Sequence, residues 1–274
     1  MDLAGSYNAS HQSGTSIFDP VLCELVYRWF SPPAGRVLDP FAGGSVRGIV
    51  AAKLGRKYTG IELRAEQVEA NREQWAAMDH RAETPNPVWI VGDSKAVADL
   101  APGDYDLIFS CPPYADLEVY SDDPRDISTM AYLDFVEAYR EIVRASVGLL
   151  RPDRFCCFVV GDVRGPDGFY RRLPDLTASA FEAVGARLYN EAVLVTCVGS
   201  LPIRVGKQFT AGRKLGKTHQ NVLVFVKGDP RKATEACGPV DVILPPALLQ
   251  RAATLAGDGR TFAEIKAERS PDVA

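Results

Sequence analysis

The run Asp106-Leu107-Ile108-Phe109-Ser110-Cys111-Pro112-Pro113-Tyr114 places a thiol, two prolines and an aromatic ring at the end of an apolar stretch. Proline fixes φ and lacks an N–H, so neither Pro112 nor Pro113 extends a sheet or sits inside a helix. The stretch therefore reads as a buried strand that stops in a rigid turn. Open α/β sheets bind ligands at the carboxyl ends of their strands. A stiff turn with exposed carbonyls and a flat ring after it suits a planar, amine-bearing substrate. Cys111 adds a potential nucleophile immediately before the prolines.

A second constellation lies upstream. Arg36-Val37-Leu38-Asp39-Pro40-Phe41-Ala42-Gly43-Gly44-Ser45 reads as a strand ending in an acid, then a glycine turn, then an apolar helix through Val46, Ile49, Val50 and Leu54. Glycines permit close backbone approach, and a helix amino end offers free N–H groups. Tyr58-Thr59-Gly60-Ile61-Glu62 reads as a second strand ending in an acid, and Val88-Trp89-Ile90-Val91-Gly92-Asp93 as a third. A glycine turn alone is a weak signal. Acids at Asp39, Glu62 and Asp93 are individually explicable as helix caps. Their succession, followed by the proline turn, is hard to explain as packing.

Taken together, Asp39-Pro40-Phe41-Ala42-Gly43-Gly44-Ser45, Glu62, Asp93 and Cys111-Pro112-Pro113-Tyr114 resemble the successive motifs of S-adenosylmethionine-dependent DNA methyltransferases of the amino-methylating group. The resemblance spans roughly Ser16 to Lys227. It implies a Rossmann-like class I methyltransferase fold, a mostly parallel seven-stranded sheet with helices on both faces and an antiparallel last strand. It also implies S-adenosyl-L-methionine as cofactor, held by Phe18, Asp39, Phe41, Ala42, Gly43, Gly44, Glu62, Asp93 and Ser94. In that arrangement the glycine loop takes the methionine part, Glu62 the ribose and Asp93 the adenine. The Pro112-Pro113 turn then holds a flipped base, with Tyr114 stacking on it. Cys111 departs from the pattern, because the family carries Asp, Asn or Ser there.

Two chemistries stay open at Cys111. In one it replaces serine, differing by one atom, and helps orient an exocyclic amine that attacks the methyl group directly. The serine version of the turn belongs, by resemblance, mostly to enzymes that methylate the cytosine amine, and sulfur is a weak acceptor for such an amine. In the other, Cys111 adds to carbon 6 of a flipped pyrimidine so that carbon 5 attacks the methyl donor. That route needs a thiolate and an acid near the ring nitrogen; Asp162 is the candidate acid, with Glu118 behind it. Both readings point to cytosine, and carbon-5 methylation is the expectation. Methylation of adenine N6, of RNA or of a protein glutamine are the alternatives, together with an inactive nucleic-acid-binding module.

Composition narrows the class. A chain of 274 residues with 46% apolar and 24% charged residues fits one α/β domain with elaborations. No stretch is long and apolar enough to span a bilayer, and no basic-then-apolar leader opens the chain. The six cysteines lack Cys-x-x-Cys spacing and only three histidines accompany them, so no metal site is expected. Cys156, Cys157 and Cys197 read as small core residues, and a reducing, cytoplasmic setting near nucleoid DNA is expected. The net charge of −4 hides an asymmetry. Between Glu191 and Asp229 there is no acid, while Arg204, Lys207, Arg213, Lys214 and Lys217 are basic. Punctuated by glycines, 199–217 reads as a flexible basic loop that contacts the DNA backbone.

The elements that position these residues follow from periodicity. Phe18 to Phe30, Ala65 to Met78 and Ala131 to Leu150 carry helical spacing. Phe155 to Asp162 reads as a fifth strand, and Glu191 to Val198 with Asn221 to Lys227 as an antiparallel pair. Alternating strands and helices argue a mostly parallel sheet, whose right-handed crossovers bring Asp39, Glu62, Asp93, Cys111 and Asp162 to one rim. Residues 1–15 are expected to be flexible, 16–228 to form the methyltransferase domain, and 229–274 to form an appendage with helical patches at 247–255 and 262–267. The acidic run 116–126 is expected to act as a lid.

Overall fold

The computed structural model describes residues 18–114, 119–195 and 201–240. The expected flexible segment 1–15, Glu118, Cys197, Gly199 and the helical patches at 247–255 and 262–267 lie outside the described residues.

In chain order the elements are α1 (Pro20–Phe30), β1 (Arg36–Asp39), α2 (Val46–Lys53), β2 (Lys57–Glu62), α3 (Ala65–Ala76), β3 (Val88–Val91), the single turn α4 (Val97–Leu100) and β4 (Tyr105–Ser110). They continue as α5 (Tyr132–Gly148), β5 (Leu150–Val160), α6 (Leu173–Glu182), β6 (Ala186–Val195), α7 (Leu201–Gly212), β7 (His219–Lys227) and α8 (Pro230–Cys237). Asp19 caps α1 by accepting from the Val21 and Leu22 amides, and Pro20 follows in the first turn, where its missing N–H costs nothing. The strands form the expected seven-stranded sheet in the order β3-β2-β1-β4-β5-β7-β6. β1 to β5 run parallel, while β7 is antiparallel to both β5 and β6.

Side-chain alternation divides the core between the two faces of this sheet. Leu38, Ile108, Phe158 and Phe225 pack against α5 and α6 through Phe135, Tyr139, Ile142 and Phe181. Val37, Leu107, Phe109, Cys157 and Val224 pack against α1, α2 and α8 through Tyr27, Ala51, Ala52 and Ala233. Every residue of β4 is buried, as a strand covered on both faces requires. The sheet order reverses between β1 and β4, so a crevice must open where the connections from these two strands leave in opposite directions.

Two expectations need correction. Residues 201–212 form a helix, not a loop. Leu201, Val205 and Phe209 recur at the i, i+4 spacing of a helical stripe, Pro202 falls in the first turn where it is tolerated, and one internal glycine costs only about 1 kcal/mol. The helix closes through Arg213, whose φ of 54° is left-handed and whose amide donates 2.8 Å to the Phe209 carbonyl. The second correction concerns the boundary at 228. The compact unit runs to Gly238, because α8 buries Ala233 and Cys237 in the core. Residues 239–274 make a separate unit.

Candidate active site

The carboxyl ends of β1 to β4 open onto one cleft of ≈ 590 Å³, within the range of small-molecule and cofactor sites, about 300–1,000 Å³. Gly43, Gly44, Glu62, Asp93, Ser94, Phe18 and Phe41 line it, and so do Cys111, Pro112, Pro113 and Tyr114. The two sequence constellations thus share a single cavity.

The glycine turn is built around Gly43, whose φ of +50° is one that glycine adopts without a Cβ penalty. Its amide donates to Glu62 Oε2 at 2.9 Å, and its carbonyl accepts from Asn71 Nδ2 at 2.7 Å, so β2 and α3 both hold the turn. Glu62 Oε1 accepts from the Arg64 amide at 3.0 Å and from Arg64 Nε at 3.2 Å. A carboxylate offers about four acceptor positions. A diol arriving at Glu62 would therefore displace an Arg64 contact, and Arg64 already has Gln67 and the Tyr120 ring as further partners. Asp93 Oδ1 accepts from the Lys95 amide at 2.9 Å and starts the turn leading into α4. Ser94 Oγ donates to the Pro40 carbonyl and ties this turn to the end of β1.

Asp39 and Ala42, expected among the cofactor contacts, do not line the cleft; both are fully buried beneath it. Asp39 holds the floor instead. Its Oδ2 accepts from Arg47 Nε at 2.6 Å and Tyr58 Oη at 2.8 Å, and its Oδ1 from Ser110 Oγ at 2.5 Å and the Phe41 amide at 3.2 Å. Arg47 also donates to the Phe41 and Ala42 carbonyls at 2.6 and 2.9 Å, clamping the backbone that precedes Gly43. Burial alone would lower the Arg47 pKa, but Asp39 beside it drives the net shift upward. The Phe18 ring lies 4.6 Å from the Arg47 guanidinium carbon, carrying this cluster up to the cleft. Arg47 and Ser110, which hold this floor, are residues that sequence reasoning misses. Their one local signal is polarity in otherwise apolar surroundings, in the first turn of α2 and at the end of β4.

The proline turn is fixed through Tyr114. Gln220 Nε2 donates to Tyr114 Oη at 2.8 Å, and Cys111 Sγ lies 3.5 Å from the same oxygen. The ring packs against Gly161, where a Cβ would stand 3.1 Å from it. Burial pushes the Tyr114 phenol well above its ordinary range, and the neighbouring Cys111 adds to that shift. Tyr114 is thus a neutral, braced aromatic wall beside the thiol. Gln220, at the start of β7, carries no local signal because it lies over a hundred positions away along the chain.

Asp162, one residue beyond Gly161, is not among the residues that line the cleft, and its Oδ1 accepts from the Leu173 amide at 3.3 Å, at the start of α6. Of the basic residues, Lys207, Arg213 and Lys217 are exposed and Lys214 is half-buried, while the Arg204 side chain lies outside the description. Arg213 sits 5.0 Å over the half-exposed Phe209 ring. Among the described residues no helix is long and apolar enough to cross a membrane, and no cluster of three metal-ligating side chains occurs.

The sequence profile of the N6/N4 DNA methylase family matches residues 9–73, which include Phe18, the glycine turn and Glu62 but end before Asp93 and Cys111. No curated protein matches the chain. Among solved structures, a methyltransferase from Pyrococcus furiosus superposes with a TM-score of 0.50 at 16% identity, covering 80% of this chain and 88% of that one. A SAM-dependent methyltransferase from Methanosarcina mazei gives 0.51 at 11% identity, covering 78% and 99%. At such identities the likeness is one of fold, and the fold of this chain is that of the class I S-adenosylmethionine-dependent methyltransferases.

Proposed function

We propose that the protein is an S-adenosylmethionine-dependent DNA methyltransferase that acts on the exocyclic amine of a flipped base, cytosine in the first place. The observation that carries this reading is the meeting of the Gly43-Gly44 turn, Glu62 and Asp93 with the Cys111-Pro112-Pro113-Tyr114 turn in one cleft. Glu62 and Asp93 offer carboxylates to ribose hydroxyls and an adenine amine, and the amides of the glycine turn suit a carboxylate. These donor and acceptor types fit S-adenosylmethionine, which when bound supplies an electrophilic methyl on a positive sulfonium. The chain's own part is to orient and to exclude water. Pro112 and Pro113 contribute carbonyls and no N–H, so at those two positions the backbone can accept from an amine and cannot donate to it. Tyr114 supplies a braced face on which a base stacks. The match to the N6/N4 DNA methylase family supports DNA and an amine as the target.

The carbon-5 route expected from the sequence stays as the second reading, because Cys111 does line the cleft. It ranks second because Asp162, its first candidate acid, does not line the cleft, while Glu118 lies outside the described residues. Cytosine is preferred because Cys111 differs by one atom from the serine associated by resemblance with the cytosine amine. The test is to methylate mixed-sequence DNA, digest it and identify the product by mass spectrometry, for wild type and Cys111→Ser. Amino-methylated cytosine with an active serine variant supports the proposal. A covalent complex with DNA carrying 5-fluorocytosine, together with an inactive serine variant that still binds cofactor, overturns it in favour of carbon 5. A methylated protein or RNA with untouched DNA overturns the substrate class.

A further inference from the structure

The chain between β5 and α6 forms a small hairpin that the site does not use. Arg164 and Tyr170 make an isolated antiparallel bridge. The Gly165 amide donates to the Phe169 carbonyl and the Arg171 amide to the Val163 carbonyl, each at 2.9 Å. Asp167 Oδ1 accepts from the Phe169 amide at 3.1 Å and closes the tip. A loop so fully bonded has a defined shape, yet it presents Phe169 with 75% of its surface exposed. A single exposed ring is ordinary on a protein surface. This one has surroundings that are not.

Cations from two segments gather on the residues either side of it. Arg164 lies 3.9 Å over one ring, that of Tyr170, and Lys217 Nζ lies 5.5 Å from the same ring. Lys214 Nζ approaches Gly168 to 3.1 Å of where a Cβ would stand, so the segment after α7 lies against the hairpin tip. Residues 163–172 and 213–217 together hold Arg164, Arg171, Arg172, Arg213, Lys214 and Lys217 against one acid, Asp167, with Arg172 paired to Asp175 at 2.7 Å just beyond them. Both segments are rooted in the residues that brace Tyr114. The hairpin leaves β5 just beyond Gly161, which packs on the Tyr114 ring, and the basic segment enters β7 just before Gln220, which bonds Tyr114 Oη. An exposed aromatic tip within a cationic surround matches the chemistry that grips nucleic acid by base stacking and phosphate contact.

We propose that the hairpin 163–172 and the segment 213–217 form one DNA-contact rim, in which Phe169 stacks on a DNA base while Lys214 and Lys217 contact phosphates. The inference rests on the reading of the cleft as a DNA methyltransferase site and adds to it a base-stacking element outside the cleft.

The test is fluorescence anisotropy of the full chain on a mixed-sequence duplex and on the corresponding single strand, across a salt series. S-adenosylmethionine binding by calorimetry serves as the control for folding. Phe169→Ala is expected to weaken DNA binding roughly 5- to 100-fold, to leave the salt slope unchanged and to leave cofactor binding unchanged. Phe169→Trp is expected to restore affinity. Lys214→Ala with Lys217→Ala is expected to flatten the log–log salt slope by roughly one unit for each phosphate that is no longer neutralised. Wild-type DNA binding that survives Phe169→Ala undiminished overturns the rim while leaving the methyltransferase reading in place. A wild-type chain that binds no DNA, or prefers mixed-sequence RNA, overturns both.

Discussion

At the scale of single residues, two carboxylates divide the labour of the cleft. Glu62 stands on its wall and Asp39 beneath its floor. The sequence could not separate them, because both end a strand and both precede a turn. What distinguishes them is Arg47, eight positions after Asp39, whose guanidinium buries against one acid only. Glu62→Ala is expected to weaken S-adenosylmethionine binding by about 2–3 kcal/mol, the scale of charge-assisted hydrogen bonds; calorimetry showing unchanged affinity would remove Glu62 from the cofactor site. Arg47→Met is expected to destabilise the fold by about 3–5 kcal/mol, because it leaves Asp39 buried without its cation. Chemical denaturation reads that loss. Adding Asp39→Asn in the same chain should recover part of it, since the orphaned charge is then gone. The Cys111-Pro112-Pro113-Tyr114 turn was legible because its chemistry is local: proline and aromatic types alone define it. Its brace through Gln220 was not, since that contact is made only when β7 inserts beside β5.

At the scale of elements, apolar runs of strand length were readable for β1 to β5, each ending in or followed by an acid except β4, which stops at the proline turn; β4 is buried on both faces, which leaves little freedom in its composition. α7 was misread because its glycines were weighed more heavily than its apolar spacing. α6 went unnamed although Leu173, Thr177, Ala180 and Phe181 all face the core, since its start depends on a left-handed Arg172 that no local rule foretells. The sheet centre carries its own electrostatic clamp. Asp106, near the start of β4, accepts from the Arg36 amide at 2.9 Å, from Arg151 at 2.7 Å and from Arg154 at 3.2 Å, tying β4 to both β1 and β5. Burial opposes its ionisation, but the Arg36 amide and the two arginines prevail and hold its pKa below the ordinary 3.8. A depressed folded-state pKa stabilises the fold above the unfolded value, and that stability is lost as pH falls through the folded value. Asp106→Asn is therefore expected to cost roughly 2–3 kcal/mol near neutral pH. The gap from wild type should close as pH drops below about 4. Denaturation midpoints measured across that range check it, and a pH-independent gap would assign the effect to packing instead.

At the scale of the whole molecule, the question is how much chain the fold needs. Composition changes little near Gly228, so a boundary there was a natural reading of a glycine followed by a polar stretch. The structure continues past it for a physical reason. The Asp229 amide donates to Asp153 Oδ1 at 2.7 Å and Asp229 Oδ1 accepts from the Arg231 amide at 2.8 Å, so the helix start is anchored and capped at once. α8 then lays Ala233 and Cys237 against the face that α1 and α2 also cover, and burial pushes the Cys237 thiol up to about 11. Removing this helix exposes apolar surface of β5 and breaks the anchor. A chain ending after Gly238 is expected to melt within a few degrees of the full chain and to keep its thiol at position 237 slow to alkylate. A chain ending after Gly228 is expected to lose about 3 kcal/mol, which for a unit of this size lowers the melting temperature by about 6–12 °C. Circular dichroism melts of the two shortened chains decide the matter: equal melting temperatures would make α8 an ornament on the fold, and the expected difference makes it the last element of the core.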